Sequence, residues 1–558
     1  MTRFPASPLP AARARASRHR STSTGPEPVR RIGPFCAALF FSSLFAAGAA
    51  AANPADTRKA ELDRIVDQVQ ARYRLPGLAL AVLEDGQVVY ARTEGELLAG
   101  SGRKVGTDSL FKIASNTKSM TTALLARLVD AGKLRWDDPV TKYLPDFRMH
   151  DDWVTREMQV RDLLIHNSGL RAGAGDLMLW PEPNRFTRSD VIHGLRYLKP
   201  VHSFRSRYDY DNLLYIVAGE VAAAAGGASY EQLLRREVFA PLGMDGCRVG
   251  AFARADAAPL AQPHARREGR YVPVREDGEA IAATPMDPAG GVRCGLDDMT
   301  RWLRAWLDPA APARDGRPWL SAQQRGELWR AQMPMTPSRR QREWSNTHFA
   351  AYGYGWRLSD FDGEFKVGHT GTLMGMYSLT ALLPQRKAGF VVLINADAGD
   401  ARSVFDQVLS QRYTQTHGRR PRGERGVAWY ADAIEREATA PTAGRAPDTS
   451  ARRPAKPDEL RGRLGVYRDP WFGEVGLCAR GGEVEFASRK SPLMTGKIVR
   501  VGPSLLVDWD AEEVDAEAWI DFAAAAEPAA FSMSKLDPDA DFSYDYEDLA
   551  FARVGDCG

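Results

Sequence analysis

The sequence is poor in the residues that most often recruit function from outside a protein. It holds 5 cysteines and 9 histidines in 558 residues. Four cysteines, Cys247, Cys294, Cys478 and Cys557, lie beyond the N-terminal segment and lack the close spacing of a zinc site. No metal and no cofactor is expected. Lys and Arg nowhere cluster with aromatic residues as nucleic-acid binding would require, so no nucleic-acid partner is expected either. The apolar run from Pro34 to about Ala52 is broken by Ser and Gly and is short for a membrane span.

That run is instead preceded by seven arginines (3, 13, 15, 18, 20, 30 and 31) against the single acid Glu27, and it ends in Ala50-Ala51-Ala52 before Asn53-Pro54. A basic leader, an apolar stretch and small residues at a cleavage point read as an export signal over 1–52, with an uncleaved anchor as the rival. Arg30-Arg31 hints at twin-arginine export, and Cys36 lacks the small-residue context of lipid attachment. Without this segment the 74 basic and 71 acidic residues become 67 and 70, so the basic balance belongs to the leader. The expected product is free and periplasmic, with no stable membrane insertion after cleavage; contact with the cell wall is left open. Export makes disulfides permissible, and the split between chain halves suggests Cys247 with Cys294 and Cys478 with Cys557 against isolated buried thiols.

At 44% hydrophobic and 26% charged residues, the chain is globular and long enough for more than one domain. Residues 58–73 carry Leu62, Ile65, Val66, Val69 and Tyr73 on one helical stripe. Asp85-Gly86 then joins two alternating runs, 78–83 and 87–91, as a hairpin. Apolar periodicity returns as strands over 377–383 and 390–394, turning at Pro384-Gln385-Arg386-Lys387, with a helix over 401–413. These predict an α/β (α+β) fold: one antiparallel sheet, N-terminal in its first two strands and C-terminal in the rest, flanked by helices and carrying an inserted helical region. Residues 53–436 are assigned to this domain and 437–457, rich in Ala, Pro, Thr and Arg, to a linker. Short alternations separated by Gly, Asp and Pro make 458–558 a small C-terminal β-barrel.

The chemistry is sought at Ser115-Asn116-Thr117-Lys118. Apolar residues feed in, and Met120, Ala123, Leu124, Leu128 and Ala131 then recur at helical spacing until Gly132. Positions i and i+3 share a helix face, which puts the Lys118 amine beside the Ser115 hydroxyl. Ser-x-x-Lys also occurs at Ser101–Lys104 and Ser532–Lys535, where no apolar helix follows, so the pattern alone decides little. A nucleophile needs a base and oxyanion donors. Tyr210-Asp211-Asn212 stands ahead of an apolar helix: the Tyr210 phenol, its ionised form favoured by Lys118, could relay the serine proton, and Asn212 could donate to substrate or steady Lys118. Gly368-His369-Thr370-Gly371-Thr372 supplies small residues before a strand. His369, Thr370, Gly371 and Thr372 are assigned to substrate binding, and the N–H groups of Ser115 and Thr372 to the oxyanion. Each piece also has an ordinary reading: a helix-start turn, a surface histidine.

Taken in this order the pieces resemble the serine β-lactamase and penicillin-binding-protein superfamily, and within it the class C-like esterases and D-amino-acid peptidases. Ser115-Asn116-Thr117-Lys118 is similar to its nucleophile motif, Tyr210-Asp211-Asn212 to its Tyr-x-Asn, and His369-Thr370-Gly371 stands where many members have Lys-Thr-Gly. Leu163–Leu170, Pro241-Leu242-Gly243-Met244 and Ala289-Gly290-Gly291-Val292 resemble further landmarks. The likeness spans about 58–415 and implies catalysis by Ser115, Lys118 and Tyr210 through an acyl-enzyme on small-molecule or peptide substrates. His369, largely neutral at pH 7, would bind a carboxylate less well than lysine. The resemblance therefore implies a peptidase or esterase, with a β-lactamase or DD-carboxypeptidase and a non-catalytic cell-wall binder as alternatives. Cys294 stands where relatives usually carry Ser. The last module resembles a lipocalin-like domain, through Phe542-Ser543-Tyr544-Asp545 and Leu549-Ala550-Phe551.

Overall fold

Strand pairing confirms the split sheet. The computed structural model describes residues 54–414, 425–439, 446–523 and 529–558; the expected signal segment 1–52 lies outside them. Strands β1 (Gly77–Glu84) and β2 (Gln87–Gly95) form the N-terminal hairpin. The others are β3 (Met333–Met335), β4 (Ala350–Tyr352), β5 (Arg357–Phe361), β6 (Glu364–Leu373), β7 (Met376–Leu383) and β8 (Ala388–Ile394). The eight-stranded sheet has the order β2-β1-β8-β7-β6-β5-β4-β3, antiparallel throughout. β1 sits beside β8, with Leu80 opposite Val392, so the two ends of the catalytic domain are stitched together within the sheet, one strand in from its edge.

Period-two alternation decides which layer each side chain joins. Leu78, Leu80 and Val82 point to a core shared with helices α1 (Pro54–Tyr73), α5 (Gly399–Arg412) and α6 (Val427–Thr439). Ala79, Ala81 and Leu83 point the other way, to a core with α2 (Thr117–Asp130), α3 (Leu213–Gly226) and α4 (Leu296–Leu307). Both faces are covered, which is why β1 is apolar on both sides. In α2, Met120, Leu124, Leu125 and Leu128 are buried, each stabilising by about 2 kcal/mol, and the helix gives way at Ala131 and Gly132, the latter at φ 68°.

The C-terminal module is a barrel of eight antiparallel strands running from Gly465–Asp469 to Ala550–Gly555, closed where Thr495–Val501 pairs with Ser504–Trp509. Tyr467, Leu477, Phe486, Phe531 and Phe551 are buried together, the Phe531 and Phe551 rings 4.8 Å apart, so side chains fill its core. The expected linker 437–457 is shorter than its composition suggests. α6 continues to Thr439, and Arg453-Pro454 pairs with Val499 and Arg500 on the barrel. Residues 440–445 of it lie outside the described residues. Both expected cysteine pairs are disulfides, Cys247–Cys294 and Cys478–Cys557. Residues 54–558 cluster as one unit. Among the described residues no single helix is long and apolar enough to cross a membrane.

Candidate active site

Ser115 sits in a single 3-10 turn, Ala114–Asn116, that delivers the chain into α2 at Thr117. The entry is tense: Ala114 has φ 49°, a left-handed conformation that costs a residue with a Cβ about 1 kcal/mol. Neighbours on both sides hold it. Phe111-Lys112 pairs with Arg293-Cys294, the Ile113 N–H donates to Val292 O at 3.0 Å, and Ser378 Oγ on β7 donates to Ile113 O at 2.6 Å. Asn116 ties the turn to the sheet again, its Nδ2 donating to Ser378 Oγ at 2.7 Å and its Oδ1 accepting from Thr380 Oγ1 at 2.6 Å. β6 approaches closest at Gly371, where a Cβ would lie 2.1 Å from Ile113 O and 2.2 Å from Ser378 Oγ. Only glycine fits between the strand and the nucleophile turn. The N–H groups of Ser115 and Thr372, the expected oxyanion donors, belong to the two segments joined here.

The Ser115 hydroxyl lies between two proton carriers, with Lys118 Nζ at 3.0 Å and the Tyr210 hydroxyl donating to Oγ at 2.9 Å. Lys118 is fully buried and also meets Asn212 Oδ1 at 2.8 Å and Ala289 O at 2.9 Å. Those two acceptors use both N–H groups of a neutral amine and leave its lone pair for the serine. Burial favours that neutral form: desolvation, with Arg357 adding like-charge repulsion and Asp176 and Asp211 opposing, brings the Lys118 pKa down to about 7. Tyr210 moves the other way, pushed up to about 12 chiefly by burial. This reverses the protonation expected from charge pairing alone. The phenol stays protonated and the lysine is the base, because desolvation outweighs the attraction between them.

His369, expected to bind substrate, is buried beside the catalytic tyrosine, its ring 6.5 Å from that of Tyr210. Only 2% exposed, it is held with Nε2 2.8 Å from Tyr352 Oη and Nδ1 2.7 Å from Thr370 O. Burial, with Arg357 and Lys118 nearby, holds its pKa well below the usual histidine range, so it is neutral. Asn212 is likewise engaged within the protein, its Nδ2 donating to Asp176 Oδ2 at 2.8 Å. Of the two tasks expected of it, the geometry shows the steadying of Lys118. Thr370 and Thr372 project from the other face of β6, with Thr372 exposed.

Two arginines that pattern reading missed border these threonines. Arg357 Nη1 donates to Thr370 Oγ1 at 2.9 Å, and Arg402 Nη1 donates to Thr372 Oγ1 at 2.8 Å and to Gly371 O at 2.5 Å. Arg357 lies one strand away in β5, where its residue pairs with Gly368, and Arg402 opens α5. Nothing in the local sequence marks either. His166 is a further missed element. It packs its ring 4.3 Å from Tyr210 and accepts from Asp211 N–H at 3.0 Å, fixing the tyrosine's approach. Among the described residues no group of three or more His, Cys, Asp or Glu side chains could hold a metal.

The β-lactamase family model matches residues 62–413 of this chain. The chain belongs to the β-lactamase family. Penicillin-binding protein 4 of Amycolatopsis lactamdurans is 30% identical over 62% of this chain and 87% of its own. Esterase EstB of Burkholderia gladioli is 32% identical over 44% of this chain and 69% of its own. The unguisins hydrolase ungD' of Aspergillus campestris is 28% identical, and the match spans 60% of each chain. These relatives are hydrolases or penicillin-binding proteins by name, and this family member is a serine hydrolase. The penicillin-binding protein homologue from Pyrococcus abyssi shares its fold, with TM-score 0.52 and 18% identity over 88% of this chain and 99% of that one.

Proposed function

We propose that this family member is an exported hydrolase that cleaves amide or ester bonds through an acyl-enzyme, acting on D-amino-acid peptides or small esters. The observation that carries the reading is Ser115 Oγ held between a buried lysine that gives up its proton near pH 7 and a tyrosine that keeps its own. Ser115 attacks the substrate carbonyl carbon and passes its proton to Lys118. The oxyanion forms against the N–H groups of Ser115 and Thr372. The bond to the leaving group breaks as that group takes a proton delivered through Tyr210, and Lys118 reprotonates the phenol. Water then cleaves the acyl ester by the reverse sequence.

Arg357 and Arg402, bonded to the threonines at one end of the site, support substrates with a carboxylate there. They supply the positive charge that His369 lacks, and they favour a peptide with a free C-terminal carboxylate over its amide. The relative AmpH of Escherichia coli, named a D-alanyl-D-alanine carboxypeptidase/endopeptidase, agrees with this choice. Two disulfides support export, because such bonds persist in oxidising compartments.

The test is a panel of D-amino-acid amides, D-Ala-D-Ala peptides and short chromogenic esters assayed with wild type and Ser115→Ala. Activity that Ser115→Ala abolishes supports the reading, and undiminished activity in that variant sinks it. Rapid turnover of a chromogenic cephalosporin would move the assignment to a β-lactamase. Absence of fluorophosphonate labelling at Ser115 would make the protein a non-catalytic binder.

A further inference from the structure

A chain of buried polar contacts runs from the barrel to the catalytic lysine. Ser543 Oγ donates to Asp176 Oδ2 at 2.9 Å, Asn212 Nδ2 donates to the same oxygen at 2.8 Å, and Asn212 Oδ1 faces Lys118 Nζ at 2.8 Å. All four side chains are buried. Ser543 lies 367 residues from Asp176 in sequence, so this link exists only because the barrel docks on the catalytic domain. The docking is local and close. Gly175 N–H donates to Asp545 Oδ2 at 2.7 Å, and Arg171 Nε lies 3.3 Å from Asp548. Phe542 meets the Tyr210 ring edge-on at 5.9 Å, and a Cβ on Gly173 would come within 2.5 Å of Phe542 O.

We infer that Asp176 and the barrel's Ser543 are positioning residues for the Ser115–Lys118 pair, acting through the side-chain amide of Asn212. The inference rests on the hydrolase reading above and goes beyond it. A primary amide has an accepting end and a donating end of nearly equal shape, and either could be turned toward Lys118. Asp176 Oδ2 accepts from both Asn212 Nδ2 and Ser543 Oγ. Burial pushes the Asp176 pKa well above the usual carboxylate range, and Oδ2 still accepts when a proton sits on Oδ1, so Asp176 selects the amide rotamer that turns Nδ2 away and Oδ1 toward the lysine. Ser543 donates to the same oxygen, which holds the carboxyl group in that pose. With Asn212 Oδ1 and Ala289 O taking the two N–H groups, the Lys118 lone pair has one direction left, toward Ser115 Oγ. Release of the amide would present N–H groups to Nζ and leave the base without a fixed aim.

The experiment uses the full chain with Ser543→Ala, Ser543→Thr and Asp176→Asn, and a short uncharged ester that does not call on Arg357 or Arg402. kcat and KM are measured across pH, per active site counted by fluorophosphonate titration, and thermal unfolding is followed in parallel. Lys118 is faced by Asp176, Asp211, Arg357, His166, His369 and the rings of Tyr210 and Tyr215, so its limb of the profile reports this cluster. The expected result is a fall in kcat per site of roughly 10- to 100-fold for Asp176→Asn, the range typical of lost supporting contacts, and a smaller fall for Ser543→Ala. KM should change little. In both variants the acid limb moves to lower pH, because the ammonium loses the Asn212 oxygen as a partner. Ser543→Thr keeps the hydroxyl and should restore both. Variants that lose only active fraction and thermal stability, with kcat per site and the limb unchanged, overturn the inference and leave the hydrolase reading intact. Ester turnover that survives Ser115→Ala overturns the hydrolase reading and the inference with it.

Discussion

At the scale of single residues, the site is governed by desolvation more than by pairwise charge. Lys118 has no carboxylate in contact and lies wholly inside the protein, so its proton is held weakly, at a pKa of about 7. Ester hydrolysis should therefore rise with pH through that region as the ammonium becomes the free base, and decline on the alkaline side only as Tyr210, near 12, ionises. Arg357→Ala removes a positive charge that disfavours the ammonium, so the acid limb measured on an uncharged ester should move to higher pH. On a peptide with a free C-terminal carboxylate the same variant should also raise KM, by about tenfold or more for a lost charge-assisted contact, whereas KM for the corresponding amide should hold. Ser115, Lys118 and Tyr210 were legible because helical spacing and packed flanks mark them. The protonation order was not, because a sequence gives charge signs but not depth. Arg357 escaped notice for a related reason: in a strand, side chains that share a face come from separate stretches of chain.

At the scale of elements, β6 and the turn before α2 act as one clamp, and Gly371 sets its gap. Gly371→Ala would push a methyl into Ile113 O and Ser378 Oγ. The expected cost is about 1–3 kcal/mol of stability, with a larger proportionate loss of activity because the oxyanion donors sit on the segments forced apart. Thermal unfolding and kcat measured together check this. The apolar runs of β1, β7 and β8 were legible as strands because they are short, apolar and bounded by turn residues. Helix α2 was legible from its periodicity, though its first turn is 3-10, where Ser115 needs a tighter entry than a regular helix provides. The burial of His369 among Tyr210 and Tyr352 follows from strand parity: it shares a face with Gly371, whose missing Cβ faces Ile113 O, and not with Thr370 or Thr372.

At the scale of the molecule, the catalytic domain and barrel share a buried apolar cluster, and polar contacts such as Lys490 with Asp190 at 2.6 Å line the seam. Phe186 of the catalytic domain packs 5.7 Å from Phe472 of the barrel. Calorimetry of residues 54–558 should show one cooperative transition, and a chain ended after Thr439 should melt lower and hydrolyse the short ester poorly. Two separate transitions would argue that the domains fold independently. The order of motifs and the presence of a barrel could be read along the sequence. The seam could not, since Phe542, Ser543 and Asp545 act on residues 171–176 and 210 that only the folded chain brings near.

That seam places supports of the nucleophile far downstream of it, Ser543 lying 367 residues beyond Asp176. During synthesis, Ser115 and Lys118 leave the ribosome more than four hundred residues before Ser543. A nascent chain then carries Ser115 and Lys118 before the loop around Ser543 exists, so on the relay inferred above full hydrolytic competence waits for that loop.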